Sequence, residues 1–213
     1  MTQSRPVVLL INGSPHPRGC TYTALEEIRL ELEQHGIEGR LIQIGQSDIR
    51  GCVDCGHCHT AGQCVFQDKV NEVAAMFETA AGLIVGSPVY YASPNATLLA
   101  FMDRLFYSTH FDKTMKCGAS VVSCRRAGAT ASFDVLNKYF TICGMPVVSS
   151  QYWNNVHGFT ADDVRKDAEG LQTMRTLARN MAFLIHAIEQ AASEGGLPEK
   201  EVPACFTSFP DGK

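Results

Sequence analysis

The chain has no dense run of lysine and arginine, which disfavours a nucleic-acid surface or a polybasic membrane anchor. Its first residues, Met-Thr-Gln-Ser-Arg-Pro, lack the long apolar core of a secretory signal peptide. Residues 79–102 carry no charge, but Gly86, Ser87, Pro88, Ser93, Pro94 and Asn95 interrupt them midway, so they do not read as a membrane span. Neither the Gly-Lys-Ser/Thr ending of a Walker A loop nor a Gly-x-Gly-x-x-Gly dinucleotide turn is present. No cysteine is followed six positions later by the arginine of a Cys-x5-Arg phosphatase loop. No internal repeat is seen. These absences leave the expectation of a soluble, cytoplasmic protein whose partners are neither nucleic acid nor membrane.

What is present is ordinary globular material. The 213 residues are 45% hydrophobic and 19% charged, with 22 acidic against 18 basic residues and a net charge of −4. That suits one domain with a real core. The 9 cysteines are the exception: Cys52, Cys55, Cys58 and Cys64 crowd one stretch, and the others are scattered. An odd total in a chain large enough for a core argues against a disulfide framework and for a metal or redox role of the cluster.

Short apolar runs at 7–12, 40–44, 82–86, 119–124 and 146–149 read as buried strands. Between them, amphipathic spacing predicts helices over 21–35, from a cap at Asp68, over 95–106 and over 133–143, with a last long helix from Val164. Strands alternating with helices imply parallel βαβ units covered on both faces. The expected fold is therefore α/β, a flavodoxin-like doubly wound five-stranded parallel sheet of order 2-1-3-4-5. One domain is expected over 1–195, with a Cys-rich loop insertion at 45–67 and an extended tail over 196–213. In such sheets ligands sit beyond the carboxyl ends of the strands, at the switch point.

Three loops meet that edge. The first, from Gly13 to Thr21, leads into a helix with hydroxyls at Ser14 and Thr21, and with charge available from His16 and Arg18. Backbone N–H groups at a helix start make a phosphate cradle, here of mononucleotide size; a plain βα connection is the alternative. The second holds Pro88, Val89, Tyr90 and Tyr91, a stiff segment with flat aromatic surfaces for a planar ring. The third supplies Ser123, Arg125, Arg126 and Gly128, or else merely solvated arginines.

Asn12-Gly13-Ser14-Pro15 with Gly19-Cys20-Thr21, then Gly86-Ser87-Pro88-Val89-Tyr90-Tyr91 and Asp103-Arg104, resembles the NADPH-dependent FMN reductase branch of the flavodoxin-like superfamily. The resemblance implies FMN, with its phosphate on Ser14, His16, Arg18, Cys20 and Thr21 and its ring against Pro88, Val89, Tyr90 and Tyr91. It also implies that the loop of Ser123, Arg125, Arg126 and Gly128 closes one side. Cys20 stands where family members often carry Asn. Within that branch, Cys52-x-x-Cys55-x-x-Cys58-x5-Cys64 is similar to the compact cysteine motif of iron–sulfur flavoproteins. Its first three cysteines have ferredoxin spacing for a [4Fe–4S] cluster. Zinc and a metal-free loop are the alternatives, with His57 and His59 read as surface residues. The resemblance further implies a homodimer or homotetramer.

The expected activity is that of an FMN-dependent oxidoreductase. NAD(P)H or a reduced carrier, ferredoxin-like if the cluster is present, would feed electrons through FMN to a quinone, flavin or other small acceptor. No side-chain acid or base is nominated, because the cofactor carries the chemistry. A non-catalytic electron carrier or redox sensor is the alternative. A receiver-like module is disfavoured, since Gly86-Ser87-Pro88 stands where its acceptor Asp would be. The loop 151–158, with the single Trp, is read as a flavin cover or a packed corner, and Cys20, at a helix start, as a thiol of lowered pKa.

Overall fold

The computed structural model describes residues 5–199 and 201 of the chain. In chain order the elements are β1 (Val7–Asn12), α1 (Cys20–Gln34), β2 (Glu38–Gln43), α2 (His57–Ala61), α3 (Lys69–Thr79), β3 (Gly82–Tyr90) and β4 (Ser93–Pro94). Then come α4 (Ala96–Ser108), β5 (Cys117–Cys124), α5 (Ala129–Thr141), β6 (Asn155–His157), α6 (Ala161–Lys166) and α7 (Ala168–Glu194).

The main sheet runs β2-β1-β3-β5-β6, all parallel, with β4 returning antiparallel along the end of β3. Counted as parallel strands alone, this is the order 2-1-3-4-5, the flavodoxin-like arrangement. Alternation along β1 shows why both faces are covered. Val8 and Leu10 pack with Leu25 and Ile28 of α1 and with Met174, Leu177 and Met181 of α7. Leu9 and Ile11 face the other way, toward Val73 and Phe77 of α3, Phe101 and Leu105 of α4, and Leu136 and Phe140 of α5.

Several boundaries depart from the sequence expectation. The run 146–149 is not a strand: it contributes only a bridge from Val147 to Gly118, and β6 pairs instead with Val122, Ser123 and Cys124. β3 continues past Gly86 to Tyr90 and folds back through a two-residue turn into β4. That turn places Tyr91 at φ +52° and Ala92 at φ +57°, the paired left-handed geometry of a tight hairpin. The long helix begins at Ala168, because Asp167 breaks it from α6 and caps it by accepting from the Gly170 N–H at 3.0 Å. The Cys-rich segment is not all loop, since α2 occupies its middle. Of the tail expected over 196–213, residues 200 and 202–213 lie outside the described residues.

Candidate functional site

The carboxyl ends of β1, β3 and β5 bring the three loops together. The Gly13 N–H donates to the Gly86 carbonyl at 2.8 Å, tying the first loop to β3. The Thr21 and Ser123 hydroxyls lie 2.8 Å apart and tie the start of α1 to the end of β5. Gly128, at φ +88°, lets the third loop press on the hairpin, because a Cβ there would sit 2.8 Å from the Ala92 Cα. The thirteen residues expected at the flavin therefore gather at one sheet edge, on loops, at the start of α1 and at the ends of β3 and β5.

Their roles within it differ. Ser14 is buried; its N–H donates to Asn12 Oδ1 at 3.1 Å and its hydroxyl accepts from the His16 N–H at 3.1 Å. Gln43 Nε2 holds the Ser14 carbonyl at 2.7 Å. Helix α1 has Gly19 as N-cap without a side-chain hydrogen bond, so its first N–H groups are left for another acceptor. His16, Arg18, Arg125 and Arg126 stand exposed on the rim, and Tyr91 is fully exposed at the hairpin tip. Ser87 anchors that hairpin by accepting from the Asn95 N–H at 2.9 Å and donating to the Pro88 carbonyl at 2.8 Å. An uncapped helix start beside buried hydroxyls, and a stiff aromatic hairpin beside it, fit the phosphate and ring of FMN.

Cys20 corrects an expectation. Burial raises its pKa, assisted by the Asp163 charge, and this outweighs the lowering by its own backbone N–H. Its sulfur lies 3.7 Å from the Gly158 carbonyl, to which it donates. Gly158 also donates its N–H to the Cys124 carbonyl at 3.1 Å, so the loop after β6 closes on the same edge. Tyr152 and Trp153 of the 151–158 segment remain exposed, their ring centroids 5.0 Å apart.

The second constellation surrounds the cysteines. Cys52, Cys55, Cys58 and Cys64 line one cavity together with Phe66, Arg104, Tyr107 and Ser108. Left-handed residues Asp54 (φ +50°) and Gly56 (φ +69°) turn the chain between successive cysteines. Cys64 is clamped by Asn71, whose Oδ1 accepts from its N–H at 3.0 Å and whose Nδ2 donates to its carbonyl at 2.9 Å. His59 bonds the Tyr107 hydroxyl at 3.1 Å, pinning α2 on α4. Among the described residues, no three His, Cys, Asp or Glu side chains converge closely enough to hold a single metal ion. A cluster, whose thiolates bind separate irons, demands less convergence than zinc.

Beside Tyr107, two further residues of α4 complete this cavity. Arg104 is buried beneath the cysteines and paired with Asp68 at 2.6 Å, while its Nε donates to the Cys64 sulfur at 3.2 Å. Burial opposes its charge, yet the bonds to Asp68 and Cys64 outweigh that and raise its pKa. Ser108 has a buried hydroxyl without a hydrogen-bond partner. Such an orphan is costly unless something occupies the space it faces. Sulfur acceptors at the same wall fit it. In the sequence Arg104 stands out only within a family motif; its position on the apolar stripe with Phe101, Leu105 and Ser108 is the available signal.

The chain is 29% identical over 191 residues to an iron–sulfur flavoprotein of Methanocaldococcus jannaschii, covering 86% of this chain and 99% of that protein. It is 34% identical over 113 residues to an iron–sulfur flavoprotein of Archaeoglobus fulgidus, 53% of this chain and 51% of that one. By fold it is similar to RosB bound to 8-demethyl-8-formylriboflavin-5′-phosphate, with a TM-score of 0.70, 13% identity, and 98% and 93% of the two chains covered. No helix of the described residues is long and apolar enough to cross a membrane. Residues 6–160 match the model of the NADPH-dependent FMN reductase family, and the chain belongs to that family as an FMN reductase-like oxidoreductase of flavodoxin-like fold.

Proposed function

We propose that this protein is an iron–sulfur flavoprotein that passes electrons from NAD(P)H or a reduced, ferredoxin-like carrier to a quinone, flavin or other small acceptor. The observation that carries the reading is the shared cavity of Cys52, Cys55, Cys58 and Cys64, with the partnerless Ser108 hydroxyl in its wall. Similarity to iron–sulfur flavoproteins of two archaea supports it.

When bound, FMN takes up electrons in pairs and releases them singly or in pairs, and a [4Fe–4S] cluster exchanges them one at a time. The chain's own residues hold, orient and shield. The start of α1, with Ser14 and Thr21, binds the FMN phosphate through N–H and hydroxyl donors, and Arg18 and His16 add positive charge at the rim. Pro88, Val89, Tyr90 and Tyr91 orient the ring through a hairpin fixed by Ser87 and Asn95. Ser123, Arg125, Arg126 and Gly128 bound the opposite side, and the four cysteines ligate the cluster. No side chain is assigned a proton-transfer role. A homodimer or homotetramer working in the reducing cytoplasm is part of the proposal.

Steady-state NAD(P)H oxidation by the FMN-loaded protein, with quinone or free flavin as acceptor, tests the enzymatic part. Sustained turnover is expected. Reduction by a ferredoxin-like carrier but not by NAD(P)H would leave the carrier as the donor, and reduction without sustained turnover to any small acceptor would favour the non-catalytic electron carrier.

A further inference from the structure

We propose that Arg104 is a positioning residue that raises the reduction potential of the cluster through its N–H···S bond to Cys64, with Asp68 as the counter-charge that limits the effect. The inference rests on the reading of Cys52, Cys55, Cys58 and Cys64 as cluster ligands.

Arg104 is 1% exposed, on the face of α4 that packs beneath the cysteine segment. A buried ion survives only where its donors are satisfied. Here the guanidinium donates to Asp68 Oδ2 at 2.6 Å and Oδ1 at 3.0 Å, to the Arg50 carbonyl at 3.3 Å and to the Phe66 carbonyl at 3.4 Å. Those carbonyls bracket the cysteines in sequence, so the fork holds both ends of the segment. The Phe66 ring lies against it, 5.1 Å from the guanidinium carbon to the ring centroid.

A purely structural clamp would need only these bonds. The remaining donor, Nε, is spent on a sulfur atom, at 3.2 Å from Cys64. Ser108 follows one helical turn later on the same helix, and its buried hydroxyl lines the same cavity without a partner. Thus α4 offers the sulfur cage a cationic donor and a neutral one. Reduction adds one negative charge to a cluster, and donors aimed at its sulfurs favour that more negative state, which raises the potential. Asp68 also caps α3 by accepting from the Val70 N–H at 3.0 Å, so its position is fixed independently of Arg104.

The signs of two substitutions separate tuning from scaffolding. Holoprotein reconstituted without oxygen is titrated for the cluster potential, with iron and sulfide assayed on every sample. Arg104→Gln is expected to weaken reduction by about tenfold in equilibrium constant, which is 59 mV for one electron. Asp68→Asn keeps the α3 cap but removes the counter-charge, and is expected to move the potential in the opposite direction. Ser108→Ala is expected to shift it downward by less than Arg104→Gln. If Arg104→Gln fails to fold or to load iron, the sign of the Asp68→Asn shift decides alone. Unshifted or same-sign potentials at full iron content overturn the inference and leave the cluster reading standing. Wild-type protein that takes up no iron and sulfide overturns both.

Discussion

The Thr21 and Ser123 hydroxyls, 2.8 Å apart and both buried, join the first turn of α1 to the last turn of sheet at β5. They are separated by 102 positions in sequence. This single bond sets the spacing between the loop that offers N–H donors and the loop that carries Arg125 and Arg126. One of the two spends its proton on the other, so the pair keeps only one hydroxyl proton to offer a ligand. In the proposed site, FMN binding is therefore expected to depend on them through the shape of the edge as well as through contact.

Thr21→Val is expected to strand the Ser123 hydroxyl in a buried site and to cost about 1–3 kcal/mol of stability. Adding Ser123→Ala removes the stranded group, so the double variant should be less damaged than the two single losses added together. Urea denaturation of the four proteins checks this. FMN titration by fluorescence quenching on the same set should show weaker binding in both Thr21 variants.

Gly45 abuts the loop proposed to hold the FMN phosphate. A Cβ at this position would fall 2.1 Å from the Ser14 carbonyl oxygen, which is backbone and cannot swing away. Gly45→Ala should displace residues 13–15 and weaken FMN by at least about tenfold, or ~1.4 kcal/mol. Gly51→Ala is the control, since nothing lies within 4 Å of its Cβ position. Equal FMN affinity in the two variants would contradict this account of the cradle.

The hairpin turn is strained. Ala92 holds φ +57°, a region that costs L-residues roughly 1–2 kcal/mol, whereas glycine enters it freely. Glycine also has more chain entropy to lose, about 0.5–1 kcal/mol. Ala92→Gly should therefore stabilise by about 0.5 kcal/mol and raise Tm by roughly 1–2 °C. A fall in Tm on calorimetry would show that the turn is not held in this geometry.

Burial pushes the Cys117 thiol up from its ordinary value near 9 to about 11. Between those values the unfolded chain has lost the proton and the folded chain has kept it. The associated stability is thus complete below pH 9 and is lost as pH rises toward 11, by about 2–3 kcal/mol. Urea midpoints measured from pH 7 to pH 11 should fall over that window, and less steeply in Cys117→Ala. An identical slope in both proteins would contradict the assignment.

The parts of the fold read correctly from sequence are those where local pattern and tertiary demand coincide. β1 is an uninterrupted apolar run because both faces of a central parallel strand are buried. Asp68 announces α3 because a side-chain cap is a local event. The apolar run 146–149 misleads because apolarity there serves packing: Val148 is buried, yet the run meets the sheet only around Gly118, which bonds Pro146 and Val148. The true edge strand, Asn155-Val156-His157, needs only Val156 to be apolar. Tyr91 and Ala92 carry none of the Gly or Asn signal of their turn type, so the hairpin was invisible. Thr160 and Asp163 form a capping box that did mark α6, and the box motif was there to be read. At the cysteines, spacing named the ligand candidates but not the buried ion beneath them. A partner 40 positions from Cys64 is a property of packing.

The most direct test of the central claim is an absorption spectrum of protein purified without oxygen, with flavin, iron and sulfide assayed on the same sample. The account predicts about one FMN together with about four iron and four sulfide per chain, the flavin bands riding on a broad iron–sulfur shoulder. Flavin without iron would contradict the cluster and return 52–64 to a plain loop. Protein that binds no flavin even after FMN is added would contradict the account at its root.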